Sequence, residues 1–359
     1  MSKKTPDPNF SQVPTRLMTD VGRIGWLVPI GLLVVLISNI VALTMPFMEL
    51  GVPFNREVYS IPHGIQLMWS FGYYALAILI FSFSLAFPLL KTAALIVIWF
   101  IRIRPKPRHH IIRVLESLGK WSMLDIFVVV ILMVLANDQQ FVNAKPKSGL
   151  TFFIFAIIGN MLMSRLVEMI HSRLHYRPNR EAESEEEFEP LTSTGWMGWL
   201  MPLILIFAFA SVLVAVEMPF LKINDALLRS YSYSVVQASQ ALFEQDAILL
   251  GLFIVVFVAV APLLNIALIT WTWFTKRTHE QSRKRLELSR IIGEWSMMSV
   301  FLLALVLTIS EGQKMIRTDM RDGALAMAIS LAICLVAIRL ARWLISKRMR
   351  SPVPSDAKS

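Results

Sequence analysis

Long runs of apolar residues, separated by short polar segments, dominate the chain. Eight of these runs have roughly 17 residues or more, and at about 1.5 Å per residue a helix of that length approaches or spans the ~30 Å hydrocarbon core of a bilayer. We therefore predict an all-α polytopic membrane protein with eight transmembrane helices. The predicted spans are residues 24–45, 70–101, 121–137, 149–170, 197–217, 246–275, 295–310 and 324–346.

The second and sixth predicted spans are longer than a bilayer requires. As a straight helix, residues 70–101 would extend about 48 Å, so this span must tilt, kink or project from the membrane. Pro88 lies within it and has no N–H for the carbonyl four residues back, so we predict a kink at Pro88. Lys91 follows about one turn later, where a freed carbonyl or a cavity could solvate its ammonium group.

The two halves of the chain repeat one another. Residues 25–29 recur with one change 173 residues later as 198–202, and the Trp-Ser-Met motif at 121–123 recurs 174 residues later as 295–297. Several matching blocks in one register predict two tandem four-helix repeats in the same orientation. The predicted domains are a cytoplasmic N-terminal tail (1–23), a first four-span repeat (24–170), a charged cytoplasmic linker (171–193), a second, degenerate four-span repeat (194–346) and a cytoplasmic C-terminal tail (347–359).

The distribution of positive charge predicts the orientation. Most of the 35 Lys and Arg residues fall at the N-terminus or on the same side as the N-terminus, which the positive-inside rule assigns to the cytoplasm. Both termini are therefore expected to be cytoplasmic. Residues 1–23 have neither the apolar stretch nor the cleavage site of a signal peptide, so the first span is expected to be retained. The long loops 46–69 and 218–245 would then lie outside, where they could form a cap with a docking surface for a partner.

The composition agrees with a membrane protein. The chain is 55% hydrophobic, with a mean hydropathy of +0.59 and a net charge of +10. That charge could indicate a nucleic-acid partner, but the basic residues stand beside the spans. We therefore expect the basic connector 102–120 to meet anionic membrane head groups, and we expect no nucleic acid.

Two ionisable residues stand next to apolar runs of the first half, Lys91 in the second span and Asp125 in the third. A charge at the centre of a bilayer costs about 3 kcal/mol on insertion scales, so it indicates a function and a partner. Lys91 and Asp125 are natural partners for each other. The second half has Asn265 and Ser299 at these positions, which favours a function in the first half. The alternative is a charge pair that only stabilises one repeat.

Other chemistry finds little support in the sequence. No nucleophile motif, P-loop or glycine-rich phosphate cradle occurs, so we expect neither an enzyme nor a cofactor. The single cysteine, Cys334, allows no internal disulfide and no cysteine-based zinc site. Most of the six histidines stand among Arg and Lys residues that would repel a cation, so no metal is expected.

Residues 83–91 and 119–127, together with the loop 59–69, closely resemble the paraquat-inducible protein A (PqiA) family. The resemblance is strong over about 24–170 and weaker over 197–346. It implies an inner-membrane subunit that loads or extracts phospholipid for a periplasmic MCE-domain partner, with proton movement as a possible coupling. By position, it also implies a lipid-binding or proton-relay network. The members of this network would be Lys91, Asp125, Ser122 and Ser84.

The chain departs from the family pattern in one respect. Family members commonly carry a cysteine-rich zinc ribbon before each repeat, whereas residues 1–23 and 171–193 contain no cysteine. We therefore expect no zinc in these segments.

Two other classes of function compete with lipid transport. A membrane scaffold that anchors a periplasmic envelope-stress protein would need the Lys91–Asp125 pair only for its structure. An ion or small-solute channel is less favoured, because no ring of like charges or repeated polar stripe is present to line a pore.

Overall fold

The fold consists mainly of helices in two compact units. A computed structural model describes residues 17–21, 25–52, 55–119, 121–137, 143–175, 196–224, 230–275, 279–312, 318–320 and 322–350. One unit comprises Met1–Val129 and Ala136–Pro178, and the other comprises Val130–Leu135 and Asn179–Ser359. Most of the predicted linker 171–193 lies outside the described residues.

The elements of the first half follow the predicted order of spans, with additional short elements between them. A π-helical segment, Phe81–Ala86, interrupts the second predicted span, and a short 3₁₀ helix, Trp121–Met123, stands at the start of the third. The other elements are α1 (Leu17–Val21), α2 (Leu27–Thr44), β1 (Met48–Val52), β2 (Asn55–Tyr59), α3 (Ile61–Ser70), α4 (Tyr74–Ile80), α5 (Phe87–Phe100), α6 (Pro105–Gly119), α7 (Leu124–Asn137), β3 (Asn143–Pro146) and α8 (Ser148–His175).

The second half repeats this order of elements from α2 onward. A second π-helical segment, Val255–Val260, interrupts the sixth predicted span. The other elements are α9 (Trp196–Glu217), β4 (Leu221–Asn224), β5 (Ser230–Tyr233), α10 (Val235–Glu244), α11 (Ile248–Ile254), α12 (Ala261–Phe274), α13 (His279–Trp295), α14 (Met298–Gly312), β6 (Thr318–Met320) and α15 (Asp322–Arg350).

The described residues contain seven helical stretches that are long and apolar enough to cross a membrane, one fewer than the eight predicted. The predicted span 121–137 is not among them; it comprises Trp121–Met123 and the 14-residue α7. The seven stretches are Leu27–Thr44, Ala77–Phe100, Ser148–His171, Gly198–Glu217, Ile248–Phe274, Gln281–Ser310 and Asp322–Ser346.

The overlong predicted span 70–101 is divided near its start. Helix α3 ends at Ser70 and α4 begins at Tyr74. Gly72, between them, has a φ of +82°, a left-handed conformation that glycine adopts without a steric penalty. The turn separates α3 from the apolar stretch, which shortens the span toward the thickness of a bilayer.

The kink predicted at Pro88 takes the form of the π-helical segment directly before it. Pro88 stands in the first turn of α5 and cannot donate to the carbonyl of Ser84. The N–H of Phe87 donates to the Ser82 carbonyl, five residues back, which is the hydrogen bond of a π-helix. The helix thus compensates for the missing N–H of Pro88 by forming one wider, π-helical turn.

The repeated Trp-Ser-Met motif packs against this widened turn. In the second half, the Met297 N–H donates to the Phe257 carbonyl at 2.9 Å, and the rings of Trp295 and Phe257 stack with centroids 5.6 Å apart. In the first half, Trp121–Met123 contacts the segment Phe81–Ala86. The duplicated motif therefore has a structural role, since it holds the start of the following helix against the distorted one.

Two small antiparallel sheets add β-structure to the predicted all-α fold. The loops 46–69 and 218–245 each contribute two strands and a short helix, and the third strand comes from the segment before α8 or α15. The strand orders are β2-β1-β3 and β5-β4-β6. Ser60 caps α3, and Ser234 forms a capping box with Gln237 at the start of α10.

The core of the first unit joins α1, α2, α5, α6 and α8. Its largest member is Trp99, and Leu17 of α1 is fully buried in it, although residue 17 falls within the predicted N-terminal tail. The buried residues of this core are Leu17, Val28, Leu32, Leu95, Ile98, Trp99, Ile112 and Val167.

We predict that Gly149→Ala destabilises the fold by about 1–3 kcal/mol, because a new methyl group would overpack a tight backbone contact. A Cβ on Gly149 would lie 2.5 Å from the Pro46 carbonyl oxygen and 2.9 Å from that of Met45. The measurement is the thermal unfolding midpoint of the purified protein in detergent. Gly64→Ala is the matched control, since a Cβ on Gly64 meets no atom within 4 Å. Equal midpoints for the two variants would contradict the proposed contact.

Candidate functional site

Lys91 lies in α5, one turn after Pro88, and only 3% of its surface is exposed. Its ammonium group lies against the end of α6. A Cβ built on Gly119 would be 2.6 Å from Lys91 Nζ, so glycine at position 119 leaves the space that this group occupies. The prediction of an ionisable group within a membrane helix therefore holds for Lys91, which is deeply buried.

Ser84 and Pro88 lie on the same distorted helix as Lys91. Ser84 is in the π-helical segment and is 3% exposed, and within the described part of the chain its hydroxyl has no hydrogen-bond partner. Pro88 is buried in the first turn of α5. Ser84, whose hydroxyl is unsatisfied among the described residues, therefore stands seven residues before the buried Lys91 on the same distorted helix.

Two of the predicted network residues, Ser122 and Asp125, have side chains that lie outside the described part of the structure. The backbone of Ser122 belongs to the short 3₁₀ helix that contacts the π-helical segment of Ser84, and Asp125 is in the first turn of α7. Asp125 follows Gly119 by six residues. The Lys91–Asp125 pair stays a prediction.

The structure adds a buried polar contact that the sequence did not single out. The Thr92 hydroxyl lies 2.7 Å from Asn160 Oδ1 and 2.9 Å from the Pro88 carbonyl oxygen, and both of these side chains are buried. Asn160 Nδ2 is also buried, and it has no hydrogen-bond partner among the described residues. The sequence feature that could have indicated this contact is Asn160 within an apolar span, because an amide buried in a membrane helix needs a hydrogen-bond partner.

The basic connector contains an amphipathic helix, and among its described side chains Arg108 faces inward. Arg108 in α6 is 0% exposed and donates from Nη2 to the Ile103 carbonyl at 2.8 Å. Helix α6 packs against α8, with Ile112 in the core. The expectation that this connector faces head groups is therefore wrong for Arg108, whereas Arg102 and Arg104 are exposed.

At the position of Lys91, the second unit has a neutral buried residue. Asn265 in α12 is 2% exposed and accepts a hydrogen bond from the Ser289 hydroxyl at 2.7 Å. Gly293 takes the place of Gly119, and a Cβ there would lie 2.9 Å from Asn265 Nδ2. The two units therefore share one arrangement, in which a glycine of the helix before α7 or α14 makes room for a polar side chain.

The buried polar side chains described in the first unit mainly offer hydrogen-bond donors. Lys91 carries a positive charge, and both Ser84 and Asn160 have a buried polar atom without a partner among the described residues. A donor-rich, positively charged site suits an anionic or phosphate-bearing group. No cluster of three or more His, Cys, Asp or Glu residues in the described ranges is placed to hold a metal ion.

Comparison with known proteins gives three results. The family model described as "Paraquat-inducible protein A" matches residues 28–173 and again residues 200–348. The chain is also similar to curated proteins named "Intermembrane transport protein PqiA" from Escherichia coli strain K12 and from Shigella flexneri, each 30% identical over 147 residues. That match covers 40% of this chain and 34% of each relative, so it spans about a third of their length. No solved structure matches the chain.

We predict that Thr92→Val destabilises the protein by about 1–2 kcal/mol, because the change leaves Asn160 Oδ1 buried without its donor. Thermal unfolding in detergent measures the effect. The matched control is Thr44→Val. Thr44 is exposed, and its hydroxyl bonds only to backbone carbonyls of its own helix. Equal unfolding temperatures for the two valine variants would show that the Thr92–Asn160 contact does not stabilise the protein.

Proposed function

The chain belongs to the paraquat-inducible protein A family, and on that premise we propose that it is the inner-membrane subunit of an intermembrane phospholipid transport system. In this proposal it loads or extracts phospholipid for a periplasmic MCE-domain partner. The names of the curated relatives, which describe intermembrane transport, support the general role. The lipid and the partner belong to the proposal.

The observation that carries the proposal is the burial of Lys91 beside a distorted turn of a membrane helix. An amphiphile needs a polar site for its head group next to an apolar surface for its tails. Lys91 and Ser84 supply the polar site, and large apolar side chains on the same helix are exposed, including Leu90 at 67%. A phosphate would accept hydrogen bonds from the ammonium and hydroxyl groups.

Proton coupling is a further part of the proposal, and Asp125 is its proton acceptor. A carboxylate is stabilised in its charged form by a nearby cation and becomes a stronger base when that cation moves away. Movement of Lys91 toward a lipid phosphate would therefore favour proton uptake by Asp125. Ser122 would complete the relay.

The orientation and contacts follow from the charges. We propose that both termini are cytoplasmic, that the exposed Arg102 and Arg104 contact anionic head groups, and that the two small sheets face the periplasm, where they offer a docking surface. We propose no enzymatic activity for the chain.

A membrane scaffold that anchors a periplasmic envelope-stress protein is the second candidate. The close packing of Lys91 Nζ against Gly119 favours it, since a tightly packed charge can serve the structure of one unit. In that case, replacing Lys91 should lower the amount of folded protein, and suppressors that restore abundance should restore function.

We predict that Lys91→Ala and Asp125→Asn each abolish the outer-membrane lipid barrier at normal protein levels, because each removes a member of the proposed site. The measurement is detergent and antibiotic sensitivity of cells whose only copy carries the change, alongside membrane immunoblots.

The controls for this experiment are exposed residues of the same types. Lys284→Ala and Asp246→Asn change side chains at the surface and should leave the barrier intact. Full barrier function in both Lys91→Ala and Asp125→Asn cells would refute the site.

A further inference from the structure

The second unit has a cation within its last long apolar helix. Arg342 in α15 lies in the membrane-compatible stretch Asp322–Ser346 and is partly buried. Its Nη2 donates to the Ser289 carbonyl at 2.7 Å, and its Nε and Nη2 lie 3.2 Å and 2.9 Å from the Ser289 hydroxyl oxygen. That hydroxyl donates in turn to Asn265 Oδ1. The guanidinium is thus fixed in position by one neutral residue.

Arg342 has no negative partner in the described part of the chain, where none of the ion pairs includes it. Arg290 lies close enough to repel it, although Arg290 also approaches Glu294 at 3.8 Å. A guanidinium in an apolar helix that is held only by neutral oxygen atoms still lacks a counter-charge. An external anion would supply one.

The corresponding position of the first unit has the opposite charge. There, 174 residues earlier, Glu168 in α8 forms an ion pair with Arg165 at 2.6 Å. Meanwhile Asn265 replaces Lys91. Position 342 thus has a cation where the first unit has a carboxylate, and position 265 has a neutral amide where the first unit has a cation.

Two donor-bearing side chains pack side by side against one glycine. A Cβ on Gly293 would lie 2.9 Å from Asn265 Nδ2 and 3.1 Å from Arg342 Nη2, so only glycine lets both side chains lie there. Among the described residues, neither Asn265 Nδ2 nor Arg342 Nη1 donates a hydrogen bond. A planar guanidinium next to an amide N–H matches the oxygen atoms of a phosphate, which accept several donors at once.

We infer that Arg342, Asn265 and Gly293 form a phosphate-binding site in the second unit, and that its occupant is the head group of an anionic phospholipid. Arg342 lies four residues, or about 6 Å, from the end of its apolar stretch, which is close enough to the membrane interface for a lipid phosphate to reach its guanidinium. Nearby, Trp343 and Trp271 are more than half exposed and offer apolar surface for acyl chains. This inference does not depend on transport or on the Lys91 site.

Native mass spectrometry of the full chain in detergent, titrated with phosphatidylglycerol, tests the site. We predict that Arg342→Gln weakens binding of one phosphatidylglycerol by about tenfold or more, because a charged hydrogen-bonded contact is lost. Arg339→Gln, which removes an exposed arginine one turn away on the same helix, should bind like the wild type.

A second variant keeps every charge. Gly293→Ala places a methyl group against Asn265 Nδ2 and Arg342 Nη2 and pushes these donors out of position, so it should also weaken binding by about tenfold while the helix remains intact. Wild-type affinity in either Arg342→Gln or Gly293→Ala would overturn the site.

Competition identifies the source of the phosphate. Inorganic phosphate at millimolar concentration should leave the bound phosphatidylglycerol in place if the lipid is the occupant. Displacement by inorganic phosphate would overturn the lipid assignment. Lys91→Ala should retain this lipid, so a failure of the proposed transport function can be told apart from a failure of this site.

Discussion

The structure depends on a missing backbone hydrogen bond. A proline in the middle of a membrane helix removes a donor that no water in the hydrocarbon region can replace. Both halves solve the problem with a π-helical turn directly before the proline. The widened turn contacts the Trp-Ser-Met motif, as the hydrogen bond from Met297 to Phe257 shows. That contact places the preceding helix, and with it Gly119 or Gly293, beside a polar residue of the distorted helix.

On this common framework, the two units differ in where they have charge. The first unit buries Lys91 on the distorted helix and has an acidic residue, Glu168, on its last helix. The second unit has the neutral Asn265 on the distorted helix and Arg342 on its last helix. Burying an ionisable group in an apolar helix is costly, so its presence in each unit supports the proposal of a polar site in each. The duplication has kept the scaffold and changed the chemistry.

The sequence predicted the parts of the fold that depend on local patterns. Apolar runs located most of the spans, and the missing N–H of Pro88 located the distortion. The small sheets were not predicted, because β1 pairs with β3, about 95 residues away, and short strands in polar loops have no periodicity to reveal them. Helical structure over the predicted span 121–137 is present as Trp121–Met123 and α7.

The candidate site was predicted in part for a similar reason. Lys91 stands out because a lysine is rare within an apolar run. Arg342 did not, because arginine is common near the end of a membrane helix, and only the hydrogen bonds to Ser289 show that it turns inward. The contact between Thr92 and Asn160 joins residues 68 positions apart, which no single-sequence pattern can pair.

The most direct test of the account is mild affinity purification of the tagged chain from native membranes, with the bound proteins and lipids identified by mass spectrometry. The account predicts an MCE-domain protein in the complex and one phospholipid fewer per chain for Lys91→Ala than for the wild type or Lys284→Ala. A chain that purifies with neither partner nor lipid, or a lipid content unchanged by Lys91→Ala, would contradict it.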